Sequence, residues 1–205
     1  MSYADSVSSL QSIGASLGVN PTIISQGAWL FSCFYGVYPT AISFDAVCCL
    51  QIAELDCGAS FQKVLTPQAI VQQASSLGLT TSDGNPVDED SLNQSVSSIR
   101  NFIESSFSYP DLSTFDCTLK LIEQMFGGTY WSKSVFCQRI FGVAAGVIND
   151  MYRYPNCVQY HPRHWSIAAI HYALCDVLSS NEGKDQETDI EKTWRDWVAN
   201  GTRWW

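Results

Sequence analysis

The sequence FDAVCCLQIAEL, residues 44–55, is rich in cysteine and alanine and almost uncharged before Glu54. A helix that is apolar around its whole circumference is normally buried. We therefore expect this segment to form the central helix of an N-terminal helical bundle. The preceding helix begins at Asn20, which suits a helix cap, and Pro21, which suits the first helical position. Its apolar residues recur at intervals of three and four until Pro39.

The rest of the chain has the same helical periodicity and no convincing strand. A short helix is predicted from Pro67 to about Leu77, and a long apolar face runs from Leu92 to Phe107. Together these patterns predict an all-α fold of about nine helices. The remaining segments that contribute to this count lie near residues 114–126, 136–147, 162–177 and 190–197.

The polar stretch from Thr80 to Pro86 is full of turn residues and is the clearest internal boundary. It divides the chain into an N-terminal repeat, residues 1–84, and a C-terminal repeat, residues 85–180. Each repeat has a plausible domain size. Residues 181–205 are predicted to form a charged loop and a short C-terminal helix that is rich in tryptophan.

The composition excludes several classes of function. Of the 205 residues, 46% are hydrophobic, so the chain can form a folded core. A net charge of −9 with only eleven basic residues argues against direct contact with nucleic acid. The N-terminus lacks a secretory pattern, and no apolar run is long enough for a membrane span, so the protein is expected to be neither secreted nor membrane-bound.

The cysteine and histidine residues offer little for catalysis. The eight cysteines include no C-x-x-C pair, which disfavours a zinc site or a disulfide framework. His171 and Cys175 share a helix face and suggest a nucleophile with its base, while His161, His164 and His171 suggest a metal site. Their helix is rich in alanine and isoleucine, which is typical of a core. We therefore predict no enzyme activity, no metal and no cofactor.

Several motifs in the second half together resemble one known family. They are Asn149-Asp150, the stretch CVQYHP at residues 157–162 and the alanine-rich segment 167–174. These resemble the second repeat of transcription-type cyclins of the K, T and L kind. Residues 14–21 and 46–53 are similar to the second and third helices of the same family. The resemblance implies two tandem cyclin boxes of about five helices each.

The chain departs from the family at the residues that hold the kinase. The resemblance implies a lysine late in the third helix, two acids after it and a glutamate on a later long helix. The corresponding positions here are Leu55, Cys57, Gly58 and Arg100. Replacing lysine by leucine removes three donors, and replacing glutamate by arginine reverses a charge.

Two substitutes for these contacts are open. If the correspondence is shifted by one turn, Lys63 and Glu104 would take the two roles. Alternatively, the partner has diverged as well, and Glu54 and Arg100 would act with the polarity swapped. The resemblance implies that two segments face the kinase, residues 44–55 and residues 92–107. Phe107 is the last residue of the second segment.

The resemblance therefore implies a regulatory subunit that binds and activates a transcription-type cyclin-dependent kinase. It would form a heterodimer with that kinase and act in the nucleus, otherwise in the cytosol. The substrate of the complex would be the repetitive tail of RNA polymerase II. The alternative is a cyclin-fold scaffold or assembly subunit that binds a partner other than a kinase.

Overall fold

The computed structural model describes residues 2–57, 65–106, 114–126, 135–179 and 196. Within these ranges the backbone forms no strand, and Thr80 and Pro86 make an isolated antiparallel bridge. The predicted all-α class is confirmed for the described residues. The elements are α1 (Tyr3–Ser16), α2 (Pro21–Val37), α3 (Ser43–Cys57), α4 (Pro67–Ser76), α5 (Glu89–Ser106), α6 (Thr114–Phe126), α7 (Val135–Met151), a 3-10 helix (Pro155–Gln159) and α8 (Pro162–Ser179).

Polar side chains determine where the first helices begin. The side chain of Asn20 accepts the N–H of Thr22 at 2.8 Å at the start of α2, as predicted. Ser2 and Asp5 form a reciprocal capping box at the start of α1. Helix α1 is absent from the helices that the apolar periodicity predicts. The Ser2 and Asp5 spacing is the sequence signal that could have located it.

The chain divides into two compact units, and the first comprises Met1–Ser113 and Asn149–His161. Helix α3 lies at the centre of this unit and packs against α1, α2, α4 and α5. The central position predicted for residues 44–55 is thereby confirmed. The fully buried residues of α3 are Ala46, Val47, Cys48, Cys49, Leu50, Ile52 and Ala53.

Gly27 allows α2 to approach the backbone of α3. A Cβ atom at this position would lie 2.9 Å from the Cα atom and 3.2 Å from the nitrogen of Leu50. Backbone atoms cannot move aside as the end of a flexible side chain can, so a larger residue would push the helices apart. The missing side chain of Gly27 therefore sets the distance between α2 and α3.

The segment Asn149–His161 belongs to the first unit, although α6 and most of α7 precede it in the chain. Ser25 on α2 donates a hydrogen bond to the hydroxyl of Tyr152 at 3.2 Å. The sulfur of Cys157 lies 3.5 Å from the hydroxyl of Ser32, also on α2. All four side chains take part in buried hydrogen bonds, which hold this segment against the first bundle.

The observed division differs from the predicted boundary between residues 84 and 85. The sequence pattern places α5 at the start of the second repeat, but α5 packs on α3 and buries Val96, Ile99 and Ile103 within the first unit. Residues 149–161, also assigned to the second repeat, lie in the first unit as well. The turn residues 80–86 connect two helices of one unit because a change of chain direction does not require a new core.

The second unit comprises Thr114–Ile148 and Pro162–Trp205. Helix α6 packs against α8, and the hydroxyl of Ser166 donates to the carbonyl of Thr114 at 2.9 Å. Phe115 and Phe141 join α6 to α7 through an edge-on contact with ring centroids 5.4 Å apart. The predicted C-terminal helix with Trp194 and Trp197 lies outside the described residues.

Candidate partner-binding site

Leu55 interrupts the burial of α3. It lies in the last turn of the helix and is 44% exposed, whereas Ile52 and Ala53 are fully buried. An exposed leucine by itself is ordinary on a protein surface. Leu55 is of interest because the next residue, Asp56, connects α3 to α5 through a charged contact.

Arg100 on α5 binds two carboxylates with different nitrogen atoms. Its Nη2 lies 2.6 Å from Oδ1 of Asp56, and its Nε lies 2.8 Å from Oε1 of Glu104, one turn further along α5. The side chain of Asp56 is 19% exposed and that of Glu104 is 52% exposed. The planar guanidinium suits this double contact because it presents several N–H donors in fixed directions. We call Asp56, Arg100 and Glu104 the α3–α5 charge network.

The charge network contributes little to folding stability. Ion pairs between exposed side chains are worth about 0 to 1 kcal/mol because water and salt screen them. Its more important effect is geometric, since Arg100 connects Asp56 of α3 to Glu104 of α5 and restricts both side chains. A site of this kind can recognise a charged partner with little loss of side-chain freedom on binding.

The predicted site residues differ in their exposure and in their contacts. Arg100 and Glu104 pair with each other on α5, Leu55 is exposed in the last turn of α3, and Glu54 is only 4% exposed. Arg100 contacts Asp56 instead of Glu54, and the sequence analysis did not select Asp56. Lys63 and Phe107 lie outside the described residues.

An aromatic cluster lies between α2 and α5. The ring of Phe102 on α5 has its centroid 5.7 Å from that of Phe34 and 5.1 Å from that of Tyr38, both in edge-on contacts. Tyr38 remains exposed at the end of α2. Edge-on aromatic pairs add roughly 0.5 to 1.5 kcal/mol beyond area burial, so the cluster helps to fix α5 on α2.

A polar cleft of about 470 Å³ lies in the first unit, near the start of α5. Its walls include Asp45 of α3, Asp83 of the α4–α5 loop, and Asp88. Asp45 accepts the N–H of Ile42 and Asp88 accepts the N–H of Ser91, both at 2.8 Å. Two of the three carboxylates therefore satisfy backbone groups at helix starts, which accounts for their presence.

His171 and Cys175 lie on one face of α8, as the spacing predicted. The sulfur of Cys175 is 3.9 Å from Nε2 of His171, and both residues are exposed. No cluster of three metal-binding side chains occurs in the described part of the chain. Among the helices that the structure describes, none combines the length and apolar character needed to cross a bilayer.

No protein-family model matches the chain, and no curated protein matches it either.

Proposed function

We propose that this chain is a cyclin-like regulatory subunit that binds and activates a transcription-type cyclin-dependent kinase. The order of the sequence motifs supports this proposal. The first unit supports it further, because α1, α2, α4 and α5 pack around a buried α3. These five helices match the number that the resemblance implies for one cyclin box. In the proposed tandem arrangement, α6, α7 and α8 belong to the second box.

The observation that carries the proposal is the contact between Asp56 and Arg100 beside Leu55. The resemblance implies that kinase-binding cyclins use a basic residue on the third helix and an acidic one on a later long helix. Here the acid lies on α3 and the base on α5. A pair of opposite charges thus joins the same two helices with reversed polarity, as expected if the partner has changed with it.

The proposed mechanism assigns the chemistry to the kinase. A protein kinase needs an ion pair between a lysine and a glutamate of its regulatory helix in order to position ATP. A subunit that binds only the active arrangement raises its population, and a 100-fold preference corresponds to about 2.7 kcal/mol. By analogy, the complex would be a nuclear heterodimer that phosphorylates the tail of RNA polymerase II.

Affinity purification of the tagged chain from its own cells tests the proposal. The eluate would be analysed by mass spectrometry and assayed for phosphorylation of a polymerase-tail peptide. We expect a stoichiometric kinase and tail phosphorylation. A stable complex that contains no kinase would refute the proposal.

Arg100→Ala tests whether the α3–α5 charge network contributes to kinase binding, and Arg153→Ala is its control. Arg153 is also exposed and pairs with Asp150 at 3.4 Å, in a segment outside α3 and α5. We expect Arg100→Ala to reduce kinase recovery about tenfold and Arg153→Ala to leave it within twofold. Both variants should stay folded, since exposed ion pairs add at most about 1 kcal/mol.

The alternative function is a cyclin-fold scaffold that binds a partner other than a kinase. One observation favours it: the position of the family lysine is held by Leu55, an exposed apolar side chain with no charge to offer. The same purification separates the two functions. A complex with constant composition and no kinase activity would support the scaffold.

A further inference from the structure

Two segments that are far apart in the sequence meet on α2 within the first unit. Helix α1 opens the described chain, whereas the segment Asn149–His161 begins in the last turn of α7. Helix α2 packs against α1 and also against the 3-10 helix of the later segment. The two segments contact each other as well, since Nε2 of Gln11 on α1 donates to the carbonyl of Asn149 at 2.7 Å.

The hydroxyl of Ser32 on α2 is shared between these two segments. It is fully buried and donates its single proton to the carbonyl of Ala28 at 2.8 Å. Its oxygen is therefore the acceptor for its two other partners, the hydroxyl of Tyr3 on α1 and the thiol of Cys157, 3.5 Å away. Burial raises the pKa of Tyr3 and that of Cys157 above their ordinary values, so both groups keep the protons that they donate.

Separation of one segment from α2 makes separation of the other easier. Without the segment Asn149–His161, the buried Ser25 of α2 loses the hydroxyl of Tyr152, which accepts its proton at 3.2 Å. Gln11 of α1 loses its acceptor at the same time. A buried polar group that loses its partner costs more free energy than the hydrogen bond itself contributes. The polar groups of α1 and α2 are therefore satisfied together only when both segments are in place.

We propose that α1 and the segment Asn149–His161 open and close on α2 as one latch, while the contact between α2 and α3 stays closed. Ser32 couples the two segments because both donate to its oxygen. Proteins open locally at a lower free energy than that of global unfolding. A ligand or modification that displaces one segment would thereby release the other. This inference is independent of the partner named in the proposed function.

Labelling of Cys157 with a maleimide in the intact chain measures the opening. Cys157 is only 3% exposed, so the reagent reaches its thiol when the latch opens. Mass spectrometry of proteolytic peptides gives the labelling rate at each cysteine. Cys49, fully buried where α3 packs against Gly27 of α2, reports global unfolding, and the exposed Cys175 reports the intrinsic rate. We expect Cys157 to react more slowly than Cys175 and faster than Cys49. Equal rates at Cys157 and Cys49 would overturn the proposal.

Ser32→Ala removes the shared acceptor. We expect it to raise the labelling rate of Cys157 about tenfold and to leave that of Cys49 within twofold. Ser97→Ala is the control, because Ser97 also donates to the carbonyl four residues earlier, at 2.8 Å, but lies on α5. This control should leave the rate at Cys157 within twofold. An unchanged rate with Ser32→Ala, or a parallel rise at Cys49, would count against a local latch.

Gln11→Ala tests the coupling, since its hydrogen bond goes from α1 to the backbone of Asn149 and does not involve Ser32. We expect Cys157 to be labelled about threefold faster in this variant. Ser9→Ala is the control on the same helix, because the hydroxyl of Ser9 donates within α1. A rate at Cys157 that rises with Ser32→Ala but not with Gln11→Ala would show that the two segments open separately, and the proposal would fail.

Discussion

At the C-terminal end of α3, Asp56 shares the guanidinium of Arg100 with Glu104, whereas near its N-terminal end Asp45 binds a backbone N–H. The first arrangement joins two helices through side chains only. The second satisfies the backbone of a single helix start. Acidic residues thus have different roles at the two ends of the same buried helix: one joins two helices, and the other caps a helix start.

The difference indicates which end can acquire a binding role. A side chain that caps a helix cannot lose its acceptor oxygen without loss of stability, so its presence is explained by folding. The exposed network around Arg100 adds little to stability and can therefore vary with a partner. This contrast is why the proposed function is assigned to the α3–α5 charge network and not to the polar cleft.

Gly27→Ala should disturb the packing of α3 at both of its ends. Of the variants considered, it should give the largest loss of stability. The new Cβ would lie 2.9 Å from the Cα atom of Leu50 and would push α2 away from α3. We expect a loss of about 2 to 3 kcal/mol in the free energy of unfolding, measured by urea denaturation. Gly36→Ala in the same helix is the control, since nothing lies within 4 Å of its added atom. An unchanged stability for Gly27→Ala would contradict the close packing described here.

Asp88→Ala should affect only the end of α5 near the cleft. Asp88 accepts the N–H of Ser91, and Ser91 in turn accepts the N–H of Asp88. We expect the melting temperature to fall by roughly 2 to 4 °C, with Asp88→Asn close to wild type because asparagine also caps. Equal losses in the two variants would indicate a role for the charge instead of the cap.

The pH dependence of this effect has a defined sign. The hydrogen bond from the Ser91 N–H lowers the pKa of Asp88 below its ordinary value of 3.8. The folded state therefore holds the carboxylate form more strongly than the unfolded chain does. The stabilisation is complete above the ordinary value and is lost as the pH falls through the lowered pKa.

The local features of the fold could be predicted from the sequence. The apolar composition of residues 44–55 is sufficient to place α3 at a bundle centre, since few other environments suit such a helix. Asn20 and Pro21 are likewise sufficient to start α2, because capping depends on neighbouring residues. Helix α1 was missed because its serines weaken the apolar periodicity.

The site itself could be predicted only in part. Arg100 and Glu104 are one turn apart, so their pairing follows from helical geometry. Asp56 lies 44 residues from Arg100, and only the packing of α5 on α3 brings them together. The assignment of residues 149–161 to the first unit depends on similar long-range contacts, with Ser25 and Ser32. Sequence periodicity shows which face is buried but not against which helix.

Asp45→Asn should give the smallest change in stability. The pH dependence of the Asp45 contribution is opposite in sign to that of Asp88. Burial raises the pKa of Asp45 above its ordinary value of 3.8, although the hydrogen bond from the Ile42 N–H acts against this. The folded state therefore loses stability as the pH rises from 3.8 through the raised pKa, because the ionised group is partly buried. Asparagine keeps an acceptor for Ile42 and removes the charge.

We therefore expect Asp45→Asn to become more stable than wild type as the pH rises from about 4 to 7, by less than about 1 kcal/mol. Urea denaturation at several pH values measures the difference, with Asp83→Asn as the control for loss of one negative charge at the same cleft. If both variants gain equally, the cause is repulsion among the cleft carboxylates. If only Asp45→Asn becomes more stable, burial of the charge is the cause. Asp45 then lowers the stability of the N-terminal end of α3, whereas the exposed network around Arg100 has no such cost.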